Sequence, residues 1–165
     1  MADAQTTVRQ AAPADVDFIV AAIRALADYE RLSGECAPDP ERLSRHLFGE
    51  PRYAEALIAE IADERVGYAL FFHSYSTFLT RPGIFLEDLF VRPEARGRGA
   101  GKALLDALVA LAKERGYGRV EWAVLDWNEP AIRFYRSVGA KAQDEWTVYR
   151  VADDTLADWP APRRR

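Results

Sequence analysis

Cysteine is nearly absent: Cys36 is the single one in 165 residues, so no internal disulfide can form. With two histidines and no Cys/His cluster at ligand spacing, nothing resembles a structural zinc site. A thiol-poor chain of this kind fits a reducing compartment, and a cytoplasmic location is the expectation. Long apolar runs are missing as well. No window approaches the roughly 18 apolar residues a membrane span needs, and the start, Met1 to Thr7, lacks the basic-then-apolar order of a secretion signal. Neither sign of charge dominates: Lys and Arg number 22 against 26 Asp and Glu, a formal net charge of -4. That balance offers no nucleic-acid surface and suits a small, cationic partner better.

What is present is a large apolar fraction, 49% of the residues, enough to bury one substantial core without staples. One domain over residues 1–159 is expected, followed by a solvated basic tail over residues 160–165, where prolines and three arginines leave little to bury.

The apolar spacing sets out the elements. A short extended run around Thr7 to Arg9 precedes an amphipathic helix in which Val16, Ile19, Val20, Ile23, Leu26 and Ala27 share a face, with Asp15 as its cap. Ser33 to Pro40 reads as a loop and Glu41 to Phe48 as a short helix. Ala54 to Ile61 and Val66 to Tyr75 form a hairpin, and Ile84 to Val91 is a third strand, unusual in holding two adjacent acids, Glu87 and Asp88. Beyond it, Ala103, Leu104, Leu108, Leu111 and Ala112 line one face of a strong helix that Gly116 stops. Arg119 to Leu125 and Trp146 to Val151 are read as strands, and Asn128-Glu129-Pro130 starts a helix that Gly139 ends. A hairpin followed by alternating strands and helices implies a mixed α/β (α+β) sheet covered by helices on both faces.

The segment richest in chemistry is Arg96-Gly97-Arg98-Gly99-Ala100-Gly101-Lys102, between a strand and a helix. Glycines at a helix entrance let the backbone approach a pyrophosphate closely and aim N–H groups at it. The helix dipole and the charges of Arg96, Arg98 and Lys102 act in the same sense. A Walker A loop is excluded because Ala103, not Ser or Thr, follows Lys102; a dinucleotide fingerprint would need its glycines after the first strand.

Arg96-x-x-Gly99-x-Gly101 after Leu86 to Val91, with Asn128-Glu129-Pro130-Ala131-Ile132-Arg133-Phe134-Tyr135 further on, resembles the acetyl-CoA-binding core of the GNAT acetyltransferases. Ala27-Asp28-Tyr29-Glu30, Leu86 to Val91 and Asp126 to Pro130 are similar to the diamine (spermidine/spermine-type) acetyltransferases and their thialysine-acetylating relatives. The resemblance implies a twisted mixed sheet of six to seven strands, acetyl-CoA as cosubstrate, a small cationic amine as acceptor, no metal, and a homodimer sharing its last strands. It implies that the backbone of Leu89, Phe90 and Val91 holds the acetyl carbonyl and pantetheine arm, and that Arg96 to Lys102 cradle the pyrophosphate. Asn128 and Phe134 would line the cofactor's far side. Tyr135 would stand beside the sulfur, where a phenol of ordinary pKa near 10 is protonated and can supply the departing thiolate with a proton.

The acceptor amine must lose its proton, and Glu87 is the candidate base, directly or through water. Glu30, Glu87 and Asp88 would hold cationic nitrogens, with Tyr29 as an adjacent wall and Trp127 within reach. Neighbours on a regular strand point to opposite faces, so Glu87 and Asp88 enter one cleft only if the strand is bulged; otherwise Asp88 pairs with a buried donor. Lys141 to Glu145 departs from the diamine enzymes in being shorter than their acidic loop. His73 reads as packed or at a sheet edge, His46 as a helix-surface residue, and Trp122, Trp127, Trp146 and Trp159 mainly as packing residues, although Trp127, next to Asn128, could also touch the substrate. The rival readings are a protein or peptide N-acetyltransferase and a non-catalytic acyl-CoA sensor.

Overall fold

The structure, a computed structural model, describes residues 5–160. It comprises two compact units, Met1–Leu125 and Asp126–Arg165. The basic tail expected over 160–165 lies, beyond Pro160, outside the described residues.

In the first unit a five-stranded sheet runs in the order β1 (Thr6–Gln10), β2 (Glu55–Ile61), β3 (Glu64–Ser76), β4 (Arg81–Val91), β5 (Val120–Trp122). The first four are antiparallel neighbours and β5 joins β4 in parallel. Between β1 and β2 come α1 (Val16–Glu30) and α2 (Pro40–Phe48), and α3 (Ala100–Glu114) makes the crossover to β5 that a parallel pair requires.

Side-chain alternation assigns the layers. Ala56 and Ile58 of β2, Tyr68 and Leu70 of β3, and Phe90 of β4 join Phe18, Ile19 and Ala22 of α1 and Leu47 of α2 in one buried cluster. Val91 points the other way and lies beneath α3, close to Gly101. Leu104, Leu105 and Leu108 give α3 its buried face, so helices do cover both sides of the sheet. Each such aliphatic side chain contributes about 1.5–3 kcal/mol by leaving water.

Asp15 does not cap α1 through its side chain. The carboxylate, 1% exposed, takes hydrogen bonds from Arg9 at 2.7 and 2.9 Å and from the Ala12 N–H at 2.7 Å, and Arg65 Nε stands 2.9 Å away. It therefore ties β1 and the start of β3 to the entrance of α1, and the Arg9 bonds hold it below the usual carboxylate range. True side-chain capping occurs at α2, where Asp39 accepts from the Arg42 N–H at 3.0 Å ahead of Pro40.

The second unit contains α4 (Glu129–Ser137) and α5 (Asp153–Ala157). Asn128 caps α4, its side chain accepting from the Ala131 N–H at 3.4 Å. The strand expected over Trp146 to Val151 does not form, which is why the sheet has five strands rather than six to seven. An alternating run becomes a strand only when another strand's edge accepts its hydrogen bonds, and this one has none in the described chain. Trp146 and Trp159 are accordingly 76% and 61% exposed, and Trp127 is 47% exposed, so none of these three is a packing residue. No helix among the described residues is long and apolar enough to cross a membrane.

Candidate active site

The centre of β4 is bulged. Asp88 faces Leu70 and Leu86 faces Phe71, so Glu87 is the extra residue with no partner position on β3. The bulge anticipated from two adjacent acids is therefore present. Glu87 is exposed, whereas Asp88 turns inward on the α1 side. There it accepts a 2.8 Å hydrogen bond from the hydroxyl of Tyr68, a residue with no exposed surface.

Asp88 and Glu30 line one pocket of about 200 Å³, together with Glu35, Cys36 and the apolar Ile23, Leu26, Ala27 and Leu32. Burial pushes the Asp88 carboxyl above its ordinary value, and the Tyr68 bond offsets part of that rise. Burial raises Glu30 as well, and the neighbouring charge of Asp88 adds to it. Two desolvated carboxylates beside apolar walls form a site that gains from receiving positive charge. Of the acids proposed from the sequence, the pocket brings together Glu30 and Asp88 but not Glu87. Glu35 and Cys36 were missed because their segment reads only as a loop. Tyr29 is not among the lining residues; the Arg96 guanidinium stacks on its ring, 5.1 Å from the centroid.

Arg96 also approaches the Phe90 ring at 5.9 Å, and its Nε donates to the Val91 carbonyl at 3.0 Å, fastening the start of the loop to the end of β4. Beyond it, Gly97 and Gly99 take φ of 76° and 85°, values that favour glycine. Gly101 differs. Its φ lies outside that region, and an added Cβ would meet only Val91 Cγ2, at an ordinary 3.8 Å, so no contact among the described residues demands glycine there. The first N–H groups of α3, with Arg98 and Lys102, give this helix entrance a positive character. Lys102 lies 2.6 Å from Asp106, one turn along.

The edge of β4 facing β5 is open beyond the bulge. Pairing with β5 stops at Leu86 and Trp122, whereas pairing with β3 continues to Val91. Among the described residues, Leu89, Phe90 and Val91 thus pair with a strand on one side only.

In the second unit, Phe134 and Tyr135 stand on α4 with ring centroids 5.4 Å apart, both partly buried. Asn128 is 7% exposed and Trp127 47%. His73 takes no part in the acidic pocket: its Nδ1 is 2.9 Å from the Tyr117 hydroxyl and its Nε2 is 3.3 Å from Glu55, which Arg115 grips with two bonds of 2.7 Å. No group of His, Cys, Asp and Glu among the described residues is suited to hold a metal ion.

A family model, the acetyltransferase (GNAT) family, matches residues 21–140 of the chain. The chain belongs to that family. It is 35% identical over 162 residues to a thialysine N-epsilon-acetyltransferase of Bos taurus, covering 92% of this chain and 95% of the relative. An L-ornithine N5-acetyltransferase of Arabidopsis thaliana is 46% identical over 90 residues, 54% of this chain and 40% of the relative. Among solved structures, an integron cassette protein from the mobile metagenome of V. cholerae superimposes with a TM-score of 0.77 at 24% identity, covering 92% and 95% of the two chains, and shares the fold. The GNAT chain is thus an N-acetyltransferase, and members of its family take the acetyl group from acetyl-CoA.

Proposed function

We propose that this GNAT enzyme acetylates the primary amine of a small cationic acceptor, a diamine, polyamine or lysine-like molecule, by direct attack in a ternary complex. The observation that carries the reading is the pairing of two desolvated carboxylates, Glu30 and Asp88, in one pocket at the bulge of β4. The relatives named for thialysine and ornithine act on molecules of this kind.

Acetyl-CoA supplies the acetyl group as an activated thioester. The N-terminal N–H groups of α3, with Arg96, Gly97, Arg98, Gly99, Ala100, Gly101 and Lys102, hold its pyrophosphate. The open edge of β4 at Leu89, Phe90 and Val91 binds the pantetheine arm and polarises the carbonyl. Asn128 and Phe134 line the far side of the arm. Glu30 and Asp88 hold the acceptor's positive charge, and Trp127 contacts its body. An alkylammonium has a pKa of about 10, so the attacking nitrogen must shed a proton; Glu87, solvent-facing at the bulge, receives it through water. Tyr135 gives a proton to the departing thiolate.

In this reading the enzyme is a cytoplasmic homodimer. Exposed Trp146, Val148 and Val151, on a run patterned as a strand, support the dimer, since a second copy would supply the missing strand partner. The test is release of free thiol from acetyl-CoA with thialysine, ornithine, spermidine and basic peptides as acceptors. Turnover of the small cations supports the reading; turnover of peptides alone would replace it with protein acetylation.

A further inference from the structure

Tyr68 stands where a core residue is expected. It lies on β3 opposite Phe90, with no exposed surface, inside the cluster that packs α1 and α2 on the sheet. A phenylalanine would fill the same space, and the hydroxyl would then be a polar atom taken out of water for nothing. It is not wasted: the hydroxyl donates to Asp88 Oδ2 at 2.8 Å, reaching from the interior to the pocket wall.

The groups facing Asp88 make that bond consequential. Tyr68 approaches from β3, Glu30 from α1, and Glu35 and Cys36 line the pocket from the segment between α1 and α2. Glu30 and Asp88 act on each other as like charges, and burial withholds water from Asp88. The Tyr68 hydroxyl is the hydrogen-bond donor to Asp88 that the chain supplies from its own core. Burial and the adjacent acids push the phenol far above its ordinary value, so it stays protonated and always donates. A bond from a permanent donor stabilises the ionised acceptor over the protonated one, and it fixes the carboxylate's orientation.

We propose that Tyr68 is a positioning residue for the amine acceptor: through its hydroxyl it orients the Asp88 carboxylate at the inner wall of the pocket and favours its charged form, making Asp88 rather than Glu30 the principal anchor for the acceptor's positive charge. This rests on the reading of the pocket as the acceptor site. The signal in the sequence is slight, because one tyrosine among the apolar residues of β3 reads as packing. The requirement lies across the sheet, in the bulge that turns Asp88 inward.

The test is Tyr68→Phe, which keeps the ring and its packing and removes one oxygen. With thialysine and spermidine as probes, KM should rise roughly tenfold with kcat within about twofold, the scale of one hydrogen bond to a charged group. The acidic limb of kcat/KM should move to higher pH. In an Asp88→Asn background the same substitution should add nothing, whereas in a Glu30→Gln background it should keep its effect. Should Tyr68→Phe fold poorly, the wild type still decides: the protected Tyr68 hydroxyl proton should titrate with the Asp88 carboxyl carbon in an NMR series, and a hydroxyl that does not respond overturns the proposal. If Asp88→Asn raises KM and Tyr68→Phe changes neither KM nor the acidic limb, the positioning role is wrong and the pocket reading stands. If neither Asp88→Asn nor Glu30→Gln alters KM, the pocket reading itself fails, and the positioning role with it.

Discussion

Glu30 and Asp88 line one pocket, and the charge of Asp88 adds to the burial that lifts the Glu30 carboxyl above its ordinary value. Two acids that are each costly to ionise in the folded chain weigh against folding at neutral pH. Groups with raised folded values contribute stability that is full below their ordinary pKa and is lost as pH rises through the raised ones. Glu30→Gln is therefore expected to leave the melting midpoint at pH 7 unchanged or to raise it slightly, because solvent screens a carboxyl that is only partly buried. The same substitution should lower kcat/KM for cationic amines by about tenfold. Thermal melts at pH 4 and pH 7 with steady-state kinetics check both halves. A destabilised Glu30→Gln protein would mean that the carboxylate serves the fold.

Gly101 separates cofactor binding from folding. Gly101→Ala places a Cβ at an ordinary 3.8 Å from Val91 and removes the flexibility of a glycine inside a helix. Stability should hold or rise by about 0.5–1 kcal/mol. KM for acetyl-CoA should rise about tenfold, because the added methyl stands where the backbone would meet the pyrophosphate. Gly99→Ala, at φ 85°, should by contrast lose stability. Calorimetry and acetyl-CoA titration distinguish the two.

Asp15 shows the opposite sign from the pocket acids. Its carboxyl is depressed, chiefly by the Arg9 bonds, so its contribution is present above the ordinary carboxylate value and is lost as pH falls through the depressed one. Asp15→Asn should cost about 2 kcal/mol, the scale of hydrogen bonds to a charged group. KM for either substrate should not change. Denaturant melts at pH 7 and pH 3 measure this: the gap between wild type and variant should narrow at the lower pH.

Tyr135→Phe and Glu87→Gln are each expected to lower kcat by tenfold or more, the usual range for acid–base groups. Asp88→Asn should act mainly on KM. Initial rates over both substrates give the split, and a Tyr135→Phe enzyme with unchanged kcat would remove the phenol from the proton path.

Much of the architecture was legible because it is written in local pattern. The apolar face of α3, the hairpin of β2 and β3 and the glycine-rich entrance all follow from neighbouring residues. Glu87 and Asp88 side by side in a strand left two readings, a bulge admitting both to one cleft or an Asp88 paired with a buried donor. The structure combines parts of each: the strand is bulged, Asp88 bonds the buried Tyr68, and Glu87 stays outside the pocket. Asp15 was misread for the same reason that the rest succeeded: an acid just before an amphipathic run satisfies the local rule for a cap. Its partners, Arg9 and Arg65, lie on strands to either side. Trp146 to Val151 shows the limit of alternation, which marks a face suited to a strand but cannot supply the edge to pair with. In the site, Glu30 and Asp88 were reachable by resemblance, whereas Tyr68, Glu35 and Cys36 enter only through three-dimensional packing.

The most direct measurement is thiol release from acetyl-CoA by the wild-type enzyme and Asp88→Asn, with thialysine, ornithine and spermidine set against an uncharged aromatic amine. Turnover of at least one small cation, with that preference lost in Asp88→Asn, is the expected result. Turnover confined to the uncharged amine, or a cation preference indifferent to Asp88, would contradict the assignment of the acidic pocket to the acceptor.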